Sequence, residues 1–318
     1  MKILSKAIAI IVVTILVYVS FLVISDVNSI LDEFSNFKFE YLPIIITLII
    51  LAHVSLILRW SLLLKKSEIY IPTKSSILIF MGGISLAIIP GKAGELIKSE
   101  LLKIKFDVPR SKSISIIIVE QVYNGIGLTI ASLFGLYYFN LGLYVTVGFS
   151  ILVISLVLFL SSKRLSEKFS KIFYKIKFLS QFVENITQSQ QIINNLITGT
   201  FVIKIITLST LFWILISSAV YFIIVAFGIE IFEIFAIWTM YTNSIMLGFV
   251  SFLPLGIGVV EGSFAGFMAY GGMDMSVALT LIIIIRLIVE WIPIGIGFIS
   301  LKLIYNKKSK NNQNNYDG

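Results

Sequence analysis

The chain contains no cysteine and a single histidine, His53. The first absence excludes disulfides and thiolate metal sites, and the second excludes sites built from several imidazoles. Charge is also scarce. Asp, Glu, Lys and Arg make up 13% of the 318 residues, about half the share in a soluble domain. What fills the space is hydrocarbon: 58% of residues are hydrophobic. The apolar residues fall in runs long enough to cross about 30 Å of bilayer at about 1.5 Å per residue. The chain is therefore expected to be an all-α, polytopic membrane protein. Its net charge of +8 fits basic loops on one side of a membrane. No soluble or aromatic-basic module points to nucleic acid.

Full spans are expected at 7–25, 41–64, 113–139, 142–162, 205–228 and 277–301. The run at 7–25 follows Lys2 and Lys6 but is long for a signal peptide and lacks an A-x-A-like site, so it reads as a retained helix. Two more apolar stretches, 74–106 and 234–272, are interrupted: the first at Pro90, Gly91 and Gly94, the second at Pro254, Gly256 and Gly258. Proline removes a backbone donor and glycine loosens the helix, so each stretch should form two arms around a non-helical turn. Residues 1–305 form one transmembrane domain in this reading, and 306–318, rich in Asn and Lys, a disordered cytoplasmic tail. Segment 163–200 is basic, with Phe169, Ile172, Phe173, Ile176, Leu179 and Phe182 at roughly helical spacing. It is either an amphipathic helix on the inner leaflet or a solvated connector.

Basic residues set the orientation. They precede the first span (Lys2, Lys6), follow 41–64 (Lys65, Lys66), follow the first break (Lys98, Lys103, Lys105, Arg110, Lys112), fill 163–177 and follow the last span. Asp26, Asp32, Glu33, Glu40, Glu230, Glu233 and Asp274 collect on the other side, opposed only by Lys38. The basic side, with both termini, is expected in the cytoplasm of a cell-membrane protein. The two broken stretches then enter from opposite faces, as in an inverted repeat. Pro90-Gly91-x-x-Gly94-Glu95 resembles Pro254-x-Gly256-x-Gly258-x-x-Glu261, and a charge lies 25 residues beyond each glutamate, at Glu120 and Arg286.

Charged groups in hydrocarbon need partners or water. Those here are Arg59, Lys92, Glu95, Glu120, Glu261, Arg286 and Glu290. Glu95 and Glu261 follow the breaks, where a carboxylate either caps the half-helix that begins there or lines a cavity between the hairpins. Arg286 and Glu290, spaced i, i+4, either neutralise each other or leave Arg286 to bind a phosphate. Arg59 is expected to snorkel to the headgroups, and His53 to be a packing residue. Glu120, with Gln121 and Asn124, should face protein or water. No catalytic triad, metalloprotease, phosphate-loop or dinucleotide fingerprint occurs, so neither an enzyme nor a cofactor is expected.

The segment Gly83–Glu95 (GISLAIIPGKAGE) resembles the first signature of the lysylphosphatidylglycerol synthase transmembrane-region family of flippase-like membrane proteins, and Pro254–Glu261 (PLGIGVVE) its second. Ala278 through Arg286 to Pro293 and Gly295 resembles the closing helix. The resemblance implies a domain that moves phospholipids or polyprenyl-linked lipids between leaflets. Bifunctional members add a soluble aminoacyl-transferase domain, and a chain ending at residue 318 is expected to be the translocating part alone. Membrane lipids are the expected partners, with a separate lipid-modifying enzyme as a second possibility. The competing functions are a secondary transporter of a small solute and an enzyme or accessory protein of lipid-linked sugar metabolism. The expected substrate-binding set is Lys92, Glu95, Glu120, Glu261, Arg286 and Glu290.

Overall fold

The computed structural model describes residues 37–87, 89, 94–162 and 190–313. The expected first span at 7–25, the break residues Pro90 and Gly91, Lys92, and most of the amphipathic connector lie outside the described residues.

The described chain is helical. Helix α1 (Leu42–Lys66) is followed by a first broken pair, α2 (Thr73–Ser85) and α3 (Ile97–Phe106), and then by α4 (Arg110–Leu133). Next come α5 (Gly142–Ser161) and the short α6 (Gln190–Leu196). The second half repeats the order: α7 (Phe201–Ala226), a broken pair α8 (Ile234–Val250) and α9 (Val259–Tyr270), then α10 (Met275–Arg286) running through a π turn into α11 (Ile292–Gln313). Part of the expected tail, 306–313, thus continues the last helix. Among the described residues, five helical stretches are long and apolar enough to cross a membrane: 39–66, 110–133, 142–161, 201–226 and 275–304. The broken arms α2, α3 and α9 are too short to cross about 30 Å.

Local chemistry explains the boundaries. Pro72 and Pro109 stand extended just before α2 and α4, where proline permits a helix to start but not to continue backwards. Asp274 caps α10 by accepting the Ser276 N–H at 2.8 Å. Its carboxyl is held below the usual range by the hydroxyl and amide of Ser276. Asp107 ends α3 in the left-handed region, φ 53°.

The direction of each element follows from its buried side chains, which divide into two apolar cores, one towards each end of the bundle. In α1, Ile45 and Ala52 belong to one core and Leu56, Trp60, Leu63 and Leu64 to the other. In α4 the order reverses: Ile116 to Tyr123 join the second core, Leu128 and Ala131 the first. Helix α5 runs like α1, and α7 like α4. The broken pairs do not cross over. Ile69, Phe80, Leu102 and Val108, from entry to exit of the first pair, all lie in the second core. Ala236, Met246, Phe264 and Met273 of the second pair all lie in the first. Two hairpins therefore enter from opposite ends, which is the inverted repeat read from the sequence.

Charge follows the same division. Lys65, Lys66, Lys103, Lys105, Arg110 and Lys112 lie at the end where the first hairpin enters, with Glu68, Glu100 and Asp107. Glu40, Glu230, Glu233 and Asp274 lie at the other, with Lys38. Between the ends the surface is hydrocarbon: Ile46, Ile50, Val147, Ile151, Ile296 and Ile299 are all exposed. In water such a belt would be a strong association site, whereas in a bilayer it faces lipid.

Candidate functional site

The two hairpin breaks face each other across a cavity of about 260 Å³. It lies where the two cores meet. Its walls come from α1 (His53, Arg59), α4 (Glu120, Asn124), α7 (Trp213), the first hairpin (Glu95, Lys98) and the second (Leu255, Gly256), with Glu290 from the π turn.

Each break has a steric reason to be glycine. A Cβ on Gly94 would lie 1.7 Å from the Leu86 carbonyl oxygen, so no other residue lets the chain close there. In the second break Leu255, Gly256 and Gly258 all have positive φ, and a Cβ on Gly256 would lie 2.6 Å from the Gly248 Cα. Glycine meets both demands. Leu255 and Phe252, at φ 51° and 55°, hold a conformation that costs an L-residue free energy.

On the first-hairpin side, four charges form one buried network. Lys98 Nζ donates to Glu120 Oε2 at 2.6 Å and to Glu95 Oε2 at 2.9 Å. Arg59 donates to Glu120 Oε1 (3.0 Å), Asn124 Oδ1 (2.6 Å) and Ser209 Oγ (2.9 Å). Gln121 Nε2 donates to Glu95 at 2.8 Å. The Lys98 ammonium also lies 4.8 Å from the Trp60 ring and 5.4 Å from Phe80. Its stem crosses Gly83, where an added Cβ would sit 2.6 Å from the lysine Cγ. Arg59, Lys98 and Glu120 are at most 2% exposed, while Glu95 is 15% exposed and opens to the cavity. Two cations against two carboxylates leave these four groups neutral, the condition under which charge tolerates burial.

On the second-hairpin side, Arg286 is the hub. Its Nη1 lies 3.2 Å from Glu261 Oε1, and its Nη2 donates to Glu290 Oε2 (2.7 Å) and to the Leu255 carbonyl (2.8 Å). Glu261 also accepts the Gly258 N–H at 2.7 Å, the glutamate half of a capping box whose other half glycine cannot supply. Arg286 and Glu261 are fully buried and do not line the cavity; Glu290, 19% exposed, does. The π turn at Leu287–Trp291 carries Glu290, and such turns recur where a helix is reshaped for a task.

Glu95, Glu120 and Glu290 thus meet at the cavity, and Glu261 and Arg286 stand behind it, shaping the break. Of the break residues, Gly94, Pro254, Gly256 and Gly258 fall at the turns. The 25-residue spacing has a physical counterpart in each half. Glu261 meets Arg286 directly, whereas Glu95 and Glu120, two anions, are joined through Lys98. Arg59 does not snorkel. Asn124, Ser209 and Glu120 supply buried acceptors that compensate it more fully than a reach to the surface requires. By sequence position Lys98 groups with the basic residues that follow the first break. The signal that separates it is its place three residues after Glu95, with Leu101 and Leu102 buried beside it. His53 lines the cavity and bonds the Ile49 carbonyl through Nδ1 at 2.8 Å. Among the described residues, no three His, Cys, Asp or Glu side chains converge as metal ligands would.

Residues 7–297 match the family described as the lysylphosphatidylglycerol synthase TM region. A curated relative, a UPF0104 membrane protein of Methanothermobacter thermautotrophicus, is 34% identical over 92 residues, 29% of this chain. That match spans about 27% of the relative's own length. On the breadth of the family match, this chain belongs to the lysylphosphatidylglycerol synthase transmembrane-region family.

Proposed function

We propose that the protein is a lipid translocase. The headgroup of a phospholipid or polyprenyl-linked lipid passes through the cavity between the hairpins while its tails stay in the hydrocarbon. The observation that carries this reading is a mid-depth cavity walled by Glu95, Lys98, Glu120, Asn124 and Glu290 inside an apolar belt. A headgroup crossing hydrocarbon unshielded meets the desolvation cost of any buried polar group, and these residues replace part of its water. The cavity rim includes Phe252 and Leu253, 73% and 46% exposed. An apolar rim of this kind suits a tail lying outside, and a sealed solute pathway has no need of it. The basic end faces the cytoplasm of the cell membrane, by the excess of lysine and arginine there. No bond-making step is assigned to the protein.

The test is exchange of fluorescent phosphatidylglycerol, its lysyl derivative and a polyprenyl phosphate in proteoliposomes, read by quenching of the outer-leaflet label. Wild-type protein should speed exchange of at least one of them. Glu290→Gln should slow that exchange at least about tenfold while the unfolding midpoint stays near the wild-type value, because this carboxylate faces the cavity at the edge of its network. Folded protein that exchanges none of the three lipids, or exchanges them equally well with Glu290→Gln, would remove the reading.

A further inference from the structure

A second concavity, of about 330 Å³, lies at the acidic end, where the second hairpin enters and leaves. None of its lining residues lines the midplane cavity. Its walls are aromatic: Tyr137, Tyr138 and Phe139 from the turn after α4, Phe232 before α8, and Tyr270 at the end of α9. Tyr137 and Tyr138 stand at 88° with centroids 5.3 Å apart, and Phe139 and Tyr270 at 77° with centroids 6.3 Å apart. Phe235 stacks against Tyr138 at 6.0 Å and holds that ring in place. The tyrosines are not core residues, since Tyr137 is 88% exposed and Tyr270 72%.

Glu233 completes the lining. It is exposed and stands at the N-cap of α8 without a side-chain capping bond. Among the described residues it forms no ion pair. Lys38, the nearby cation at this end, lies 3.9 Å from Glu230 instead. The concavity thus presents exposed tyrosine rings, one carboxylate and, among the described residues, no cation. A positive group is attracted to the π face of an exposed tyrosine ring, and the carboxylate adds a full charge. An anionic group would meet the Glu233 carboxylate at close quarters, with only neutral donors, the Asn140 amide and the tyrosine hydroxyls, to hold it.

The geometry points to this concavity as a binding site for an ammonium or quaternary-ammonium group, separate from the translocation cavity and independent of it. The group comes either from a lipid headgroup at the acidic face or from a soluble amine.

The test compares choline with 3,3-dimethyl-1-butanol, its uncharged isostere, by isothermal titration of the purified chain in a maltoside detergent. Choline should bind at least about threefold more tightly. Tyr138→Leu and Glu233→Gln, both at exposed positions, should each abolish that preference in protein that remains monodisperse. The sources separate in nanodiscs. If phosphatidylcholine weakens choline binding relative to phosphatidylglycerol, the site takes lipid headgroups, and equal binding in the two assigns it to soluble amines. Equal affinity for choline and its isostere, or no binding of either, overturns the proposal and leaves the tyrosines as interfacial anchors of the kind common at membrane surfaces.

Discussion

Replacing Lys98 by methionine separates a buried network from a surface lysine. Methionine keeps most of the stem's volume and removes the charge. The wild-type ammonium meets Glu120 at 2.6 Å and Glu95 at 2.9 Å and is about 2% exposed. Without it, Glu120 keeps Arg59 at 3.0 Å, but the four charges fall from neutral to one excess carboxylate. Breaking a buried pair by removing one partner costs about 3–5 kcal/mol. Glu95 is 15% exposed and keeps the Gln121 amide, so the lower part of that range applies. Lost cation–π contact with Trp60 and Phe80 adds about 0.5–2 kcal/mol. Lys98→Met should therefore destabilise by about 3–5 kcal/mol, read by SDS-induced unfolding in mixed micelles. The double variant Lys98→Met/Glu95→Gln removes one charge of each sign and leaves Arg59 with Glu120, and it should recover at least half of the loss. A single variant within about 0.5 kcal/mol of wild type, as expected for a lysine among headgroups, would refute the network. So would a double variant worse than the single.

Other outcomes follow from the same geometry. Gly94→Ala puts a Cβ 1.7 Å from the Leu86 carbonyl oxygen, so the first break must open; it should cost more than about 2 kcal/mol by the same assay, while Gly266→Ala, with open space at its Cβ, should change little. Arg286→Lys leaves one ammonium to serve Glu261, Glu290 and the Leu255 carbonyl, and should lose about 2–4 kcal/mol because a point charge cannot reproduce the guanidinium fork. The Asp274 cap has a depressed carboxyl pKa, so its contribution is present above the ordinary carboxyl value of 3.8 and is lost as pH falls through the lower folded value. Asp274→Asn, which caps without titrating, should flatten the acid side of a plot of melting midpoint against pH. An unchanged acid limb would count against the cap.

The breaks were legible because their cause is local. Proline removes a backbone donor and glycine loosens the helix wherever they stand, and the structure ends α2 at Ser85 and α8 at Val250, just short of the breaks. Span ends were legible where Lys66, Pro109 and Asp274 act within a turn of where they stand, but the span expected at 113–139 already ends at Leu133, and Phe139 lies in the turn beyond it. Less legible was which intramembrane charge meets which. Arg59 and Glu120 are 61 positions apart and Arg59 and Ser209 150 apart, and nothing in the local pattern joins them. Lys98 was hidden by its neighbours: a run of lysines looks like a loop until α3 turns one of them inward.

What the sequence determined by itself was the solvent, the spans, the two breaks and the opposed entry of the hairpins. These follow from hydropathy, from helix-breaking residues and from the sign of loop charges, all properties of short windows. Only the tertiary structure decided which charges line the cavity and which stand behind it. Glu95 and Glu261 occupy matching places in the sequence pattern, yet the first opens to the cavity and the second is sealed under Arg286. The difference lies in the partner that packing brings to each. Glu261 faces a guanidinium that can bind it directly, whereas Glu95 shares its half with another anion and needs Lys98 between them. Coulomb energy depends on distance in space, and in a bundle that distance is set by helices far apart in the chain.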